Sequence, residues 1–439
     1  MRAIQHLRRA IAKHALRAVA PAAVARGHHL MRRSMTVSRH AHIAAFSSAA
    51  APAQQFKIER SASLKEVQFK TSGATKVEVH VRPSLMEHIE VSVHGTASPD
   101  AFRVEEASAS LLQIAEDDLT ALAGAPVHVD LAVPMMLGLQ LSLVSGDVHF
   151  HDKIEGDVRV STGAGNIDVH KVRGMKLHLS TNDGTIRVHN LLEGDAISLS
   201  AKQIECKKIM AKFADVKITK SPVALDSSFG AMYVAQAVVN SVATGALRIG
   251  NIHGALDIKS QDATLIQVAS VNGSLAIEDV GDNCDIDVHY DSLHHVTDGE
   301  HASNLSCGGQ IQLSIEPSME AQLELHAEEI ATDGCKFAAF DLDQLEDDYA
   351  IATGTLAAQA APASTSASSG KINLSGAKDS AMTTSFFSSS SDADDNEDAG
   401  ESRGHEIPTI FAHACSGKIS VTQLNWMEKI RRKHQTRSV

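Results

Sequence analysis

Apolar and polar residues alternate in short runs through the middle of the chain, and glycine opens each run. Gly146, Gly165 and Gly184 stand 19 residues apart and precede Asp147-Val148-His149-Phe150-His151, Asn166-Ile167-Asp168-Val169-His170 and Thr185-Ile186-Arg187-Val188-His189. The second and fourth residues of each run are apolar and the rest polar, which is the period of a half-buried strand. A second series, Gly156, Gly174 and Gly194, precedes Val158-Arg159-Val160, Leu177-His178-Leu179 and Ile197-Ser198-Leu199. Each repeat therefore predicts two short strands and two turns, with glycine at the turns because it reaches positive φ without a Cβ clash. Turn glycines become sparse from Ala201 to Val242, where the alternation survives in Val216-Lys217-Ile218. They return at Gly245, Gly254 and Gly273, with weaker echoes at Gly309 and Gly417.

One such repeat offers too few inward side chains to bury an apolar face alone. Stacking successive turns at ~4.8 Å makes a continuous core. A fixed period near 20 residues thus predicts an all-β solenoid with coils of about 19 residues. The competing architecture is a meander of hairpins in a flat sheet. Residues 56–126 carry strands of a different spacing, around Val67-Gln68-Phe69, Val77-Glu78-Val79-His80-Val81 and Ile89-Glu90-Val91-Ser92-Val93, and read as a small N-terminal β cap. The solenoid is assigned to 127–356. Residues 357–406 are Ala/Ser-rich and then acidic around Ser388–Asp398, a composition that buries too little apolar surface to offset chain entropy. Residues 407–439 read as a closing strand and a short basic helix, with Trp426 plugging the far end.

Charge divides the chain unevenly. Residues 1–55 hold nine Lys or Arg, and the first acidic residue is Glu59. Ile4, Leu7, Ile11, Ala15 and Val19 share one helical face, with Arg2, Arg9, Lys13 and Arg17 mostly elsewhere. An Arg-rich, Ser-containing, acid-free amphipathic start predicts a mitochondrial transit peptide, and the matrix is favoured over the intermembrane space. Beyond residue 55, 31 basic residues face 53 acidic ones, a formal charge of −22, which argues against nucleic-acid binding. No run of 18 apolar residues predicts a transmembrane segment; the best candidate, Leu131 to Val144, contains Pro134, Gln140 and Ser142 and reads as buried strand. The five cysteines, Cys206, Cys284, Cys307, Cys335 and Cys415, lack Cys-x-x-Cys spacing and read as reduced, mostly buried thiols.

The run from Gly146 to Gly194, Gly-Asp-Val-His-Phe through Gly-Asn-Ile-Asp-Val to Gly-Thr-Ile-Arg-Val, resembles the bacterial "putative adhesin" domain of unknown function and its eukaryotic, mitochondrial relatives. The resemblance covers Val127 to Ile315 and the final Gly417 strand. It implies a right-handed β-solenoid and brings no catalytic residues with it.

Candidate chemistry is sparse. His151, His170 and His189 occupy one position of three successive repeats, so stacked imidazoles could bind a metal or respond to pH; the plainer reading is a solvent-facing corner that tolerates histidine. Asp287, His289, Asp291, His294, His295, Asp298 and His301 could also hold a divalent ion, although their spacing matches no standard motif and a polar loop is the plainer reading. Asp168 and Asp257 face outward but stand on distant repeats, which is weak support for paired-carboxylate glycan chemistry. No nucleophile-elbow, phosphate-loop or dinucleotide fingerprint is present. The expectation is a non-enzymatic binding or scaffolding protein with a protein partner, no catalytic residues, no cofactor and no nucleic acid. A β-helix glycan hydrolase or lyase, and a metal- or pH-responsive protein, are the alternatives.

Overall fold

The computed structural model describes residues 54–73, 75–95, 101–117, 126–293, 302–346, 349–359 and 407–425, with 428 and 431. The expected transit peptide, almost all of the Ala/Ser-rich acidic insertion, Trp426 and most of the basic helix lie outside the described residues.

Twenty-six strands in one hydrogen-bonded sheet account for the described chain, and most pairings are parallel. Each central strand pairs with the equivalent strand of the next repeat. Val158–Ala164 lies between Gly138–Ser145 and Lys176–Asp183, matching Leu139 to Val158 to Leu177. Ile167–Arg173 lies between Val148–Glu155 and Thr185–Ala201, matching Val148 to Ile167 to Ile186. The 19-residue glycine period is therefore the parallel register itself. A meander would pair sequence neighbours antiparallel, so that architecture is excluded for this region.

Alternation then stacks like on like. Val81, Phe150, Val169, Val188, Cys206, Phe229, Ile249, Val268, Val288, Leu313 and Val421 are consecutive register partners, and all are buried. Each such side chain contributes roughly 1.5–3 kcal/mol on burial, so one unbroken apolar file is a large share of the driving force. The file runs through Ala201 to Val242 without interruption. There Gln203–Ile218 and Ser227–Ser241 are long strands, and Ala211, paired with Gly194, takes the corner position that glycine holds elsewhere.

The glycines have a packing reason that their φ angles only partly share. Gly146, Gly156, Gly165, Gly254 and Gly273 have positive φ, whereas Gly174, Gly184 and Gly194 do not. A Cβ on Gly184 would sit 1.9 Å from the carbonyl oxygen of Gly165, and one on Gly165 2.0 Å from that of Gly146. At these glycine corners the repeats stack too closely for a side chain. The residue after the turn then clasps the next repeat: Asp147 Oδ1 accepts the Asn166 N–H (2.7 Å), and Asn166 Oδ1 accepts the Thr185 N–H (3.0 Å).

Both ends of the stack depart from sequence order. Residues expected to cap the first edge instead enter the sheet: Glu66–Lys70 lies between Leu111–Glu116 and Gly138–Ser145, and Val77–Ser84 between Val127–Pro134 and Val148–Glu155. At the other end the expected closing strand is internal. Thr409–Ala414 lies between Ser303–Cys307 and Ala321–Ala327, and Lys418–Gln423 between Ile311–Ile315 and Glu329–Ala331. Antiparallel partners flank these repeats, with Phe102–Ser108 on Leu111–Glu116 and Tyr349–Leu356 on Ala321–Ala327. They cover strand edges that would otherwise invite association.

No disulfide joins the five cysteines. Cys206, Cys284 and Cys307 are buried, Cys335 is half-buried and Cys415 is exposed. No helix among the described residues is long and apolar enough to cross a membrane.

Candidate functional site

The parallel register carries a polar column as continuous as the apolar one. Asp130, His80, His149, Asp168, Arg187, Glu205, Ser228, Arg248, Gln267, Asp287, Gln312 and Ser420 are successive partners. Each lies between residues whose side chains point into the core, so alternation fixes them outward. Neighbours bond along the column: His149 Nδ1 is 3.3 Å from Asp168 Oδ2, Asp168 Oδ1 is 3.6 Å from an Arg187 nitrogen, and Arg187 Nε donates to Glu205 Oε2 at 3.0 Å. Beyond Arg187 the face dips into a shallow groove of about 440 Å³ bordered by Glu205, Lys207, Ser228, Arg248 and Gln267.

Histidines concentrate at the N-terminal end of this column, where the inserted strand Val77–Ser84 meets its two neighbours. Glu78 is the hub. Its Oε1 lies 3.1 Å from His80 Nε2 and 3.5 Å from His149 Nε2, and its Oε2 lies 3.0 Å from His128 Nδ1. The His80 ring stacks on His149 (centroids 5.1 Å apart) and on His151 (4.9 Å), and a 2.7 Å hydrogen bond joins His80 Nδ1 and His151 Nε2. His94 and Arg82 approach Asp130 at 3.7 and 3.8 Å.

The histidines titrate differently. Burial holds His80 below the usual imidazole value, with the Glu78 carboxylate opposing. Burial, then the neighbouring His80 and Arg82, does the same to His151. The hydrogen bond to Asp168 raises His149, and the same bond lowers Asp168. One readily protonated imidazole thus sits among imidazoles that favour the neutral form.

The three histidines singled out by period take different surroundings. All are exposed and sit where the strand register breaks. His151 joins His80 and His149 instead of stacking on His170, and His189 Nε2 lies 3.8 Å from Asp168 Oδ1. Among the described residues, no ring contact links His151, His170 and His189.

Of the second acidic and histidine group, Asp287, His289 and Asp291 lie on a strand, Asp285–Leu293, where a polar loop had been the plainer expectation. Gln267 donates to Asp287 at 2.7 Å. His289 is fully buried, with Nδ1 3.0 Å from Ser314 Oγ and Nε2 3.0 Å from Asp291 Oδ1, and Glu316 is close by. Burial pushes the Asp291 carboxyl up, but His289 and the Ser270 hydroxyl outweigh it and hold it low. His294, His295, Asp298 and His301 lie outside the described residues. Asp168 and Asp257 belong to different columns; Asp257 follows Ser198, Asp215 and Val238, so the two carboxylates are not paired.

Glu78, His80 and His94 escaped the sequence reading because they were assigned to a cap, and His128 and Asp130 because their strand, the first of the assigned solenoid, stands outside the glycine period. A signal was there: Glu78-Val79-His80, His128-Val129-Asp130 and His149-Phe150-His151 each flank one core residue with two ligand-type side chains on one face of a strand.

No protein-family model matches the chain, and no curated protein matches it. Among solved structures it is similar to a putative adhesin from Parabacteroides merdae, with 12% identity, 59% of this chain and 95% of that one covered, and a TM-score of 0.34. A putative adhesin from Bacteroides fragilis gives 14% identity, 60% and 95% coverage and a TM-score of 0.28. A putative cell adhesion protein from Clostridium sporogenes gives 7% identity, 84% and 99% coverage and a TM-score of 0.18. These scores are low, and no residue role passes from those proteins to this chain.

Proposed function

We propose that the chain is a non-enzymatic binding or scaffolding protein, a right-handed β-solenoid that offers one long outward face to a protein partner. The observation that carries this reading is the polar column from Asp130 to Ser420 with its groove beside Arg187 and Arg248. From His80 to Glu205, and again at Gln267 and Asp287, its side chains are held by one another before any partner arrives, which lowers the ordering cost of association. Mixed charge along the column suits a partner surface of complementary alternating charge. The acidic run Ser388–Asp398 supplies a separate segment for recruiting a basic partner.

The site of action in this reading is the mitochondrion, on the strength of residues 1–55 alone. Proximity labelling in cells tests both parts. The full chain is expected to label mitochondrial proteins, and a chain lacking residues 1–55 is expected to lose them. The double variant Arg187→Glu, Arg248→Glu is expected to keep the compartment and lose the partner set. Cell-surface or cytosolic labelling by the full chain overturns the compartment. An unchanged partner set in the double variant overturns the binding face.

A further inference from the structure

Glu78 and the three imidazoles around it come from three adjacent repeats: His128 from the outer, Glu78 and His80 from the inserted, and His149 from the inner. Their backbone positions are pinned by Val77, Val79, Val129, Val148 and Phe150, which are buried on the opposite face of the same strands. The donors are thus presented by rigid elements.

Donors from Glu78, His80 and His128 are grouped closely enough for one ion, and His149 adds a ring nitrogen beside the Glu78 carboxylate. Zinc-class ions bind imidazole nitrogen at ~2.0–2.1 Å and carboxylate oxygen at ~2.0–2.2 Å, so tetrahedral donors stand roughly 3.3–3.5 Å apart. The Glu78 oxygens lie 3.0, 3.1 and 3.5 Å from the three imidazole nitrogens. One donor atom each from Glu78, His80 and His128 falls within a 4.8 Å sphere of separations.

An independent observation concerns the far side of the rings. A metal-bound imidazole keeps its other nitrogen engaged with an outer partner that fixes the ring and its tautomer. His149 turns Nδ1 to Asp168 at 3.3 Å, and Asp168 is itself held by Arg187. His80 turns Nδ1 to His151 at 2.7 Å. Two of the three rings therefore already carry the outer contact that a ligand needs.

We propose that Glu78, His80, His128 and His149 bind one divalent transition-metal ion of the zinc class, with Asp168 and His151 positioning His149 and His80. On binding, the ion replaces the protons shared between Glu78 and the imidazole nitrogens, and those protons pass to solvent. His128 is half exposed, so the ion enters from solvent. The bound ion staples the inserted repeat to both neighbours and stabilises the fold by mass action. This is independent of the partner reading above, because it is tested on purified protein alone.

The experiment is calorimetric titration of tag-free, full-length protein with ZnCl₂, alongside the visible absorption of the Co²⁺-loaded protein. The expected result is one tight site per chain and an absorption band of tetrahedral intensity. Glu78→Gln and His128→Ala each remove both, and zinc raises the thermal midpoint of the wild type but not of these variants. Asp168→Asn weakens binding by roughly 10–100-fold. His170→Ala leaves the site unchanged. His128 is on the surface, so His128→Ala decides the matter should Glu78→Gln fail to fold. No saturable site, or a site kept at full affinity in His128→Ala, overturns the proposal. So does a site lost in His170→Ala.

Discussion

The corner glycines allow packing and backbone conformation to be separated by experiment. Gly184→Ala introduces a Cβ 1.9 Å from the Gly165 oxygen at a position without positive φ. A carbon–oxygen contact needs ~3.3 Å, so the two repeats must part locally by ~1.4 Å. Three bonds tie that corner: Gly165 N–H to Asp183 O (3.1 Å), the Thr181 hydroxyl to Gly165 O (2.7 Å) and Thr185 N–H to Asn166 Oδ1 (3.0 Å). A shift of that size takes all three past ~3.5 Å, which at ~1 kcal/mol each, with residual overpacking, comes to about 3–4 kcal/mol. The comparison is Gly334→Ala, where φ is +76° and nothing lies within 4 Å of the new carbon. That change costs about 1 kcal/mol, the left-handed penalty less the entropy gained in the unfolded chain. Amide exchange in peptides spanning 181–190 reads the difference directly. Protection is expected to fall by about two to three orders of magnitude in Gly184→Ala, since 1.4 kcal/mol is a factor of ten. Gly334→Ala leaves those peptides unchanged. If Gly334→Ala is the more damaging of the two, close stacking is not the reason for the glycine period.

Three further outcomes follow from the same register. Asp157 Oδ1 accepts the N–H of Met175 (2.8 Å) and Lys176 (2.9 Å); Asp157→Ala is expected to lower stability by about 1–2 kcal/mol in denaturant titration, and Asp157→Asn to recover most of it. The Ala246 N–H and then Arg248 hold the Asp226 carboxyl below its ordinary 3.8. Its contribution is therefore complete above the unfolded value and lost as pH falls through the lower folded one, so the gap in denaturation midpoint between wild type and Asp226→Asn is expected to persist at about pH 6 and close below about pH 3. Burial pushes the Cys206, Cys284 and Cys307 thiols up to about 12, so their thiolate fraction at pH 8 is on the order of 10⁻⁴. Alkylation of the native protein followed by mass spectrometry is expected to label exposed Cys415 first and these three only on unfolding.

The parallel stack was legible because two periods coincide in the sequence: alternation within a strand, and glycine between repeats. Val148, Ile167 and Ile186 could be aligned without a structure. The segment from Ala201 to Val242 was harder because Ala211 occupies a corner in place of glycine and the turn before Asp226 lengthens, so Glu205 pairs with Ser228, 23 residues on. The histidine site was not legible as a whole. His80 and His149 are register partners 69 residues apart in sequence, joined only because Val77–Ser84 leaves sequence order to lie beside Val148–Glu155. Periodicity reports the next repeat along the chain, and this contact skips several strands. It accordingly pointed to His170 and His189, which are the sequential neighbours of His151, and away from His80, which is its partner in space.

The out-of-order ends bear on how the molecule yields to force. A stack in sequence order frays from its terminal repeats, each of which has only one neighbour. Here Glu66–Lys70 with Val77–Ser84, and Thr409–Ala414 with Lys418–Gln423, are gripped on both sides, while Gln54–Glu59, the first described strand, pairs with His88–His94. A motor that engages the C-terminal side, or the N-terminal side once Gln54–Glu59 has peeled from His88–His94, must shear two rows of backbone hydrogen bonds together before the next strand comes free. A cut made between residues 360 and 406 would leave the last strands clamped in place as a noncovalent fragment.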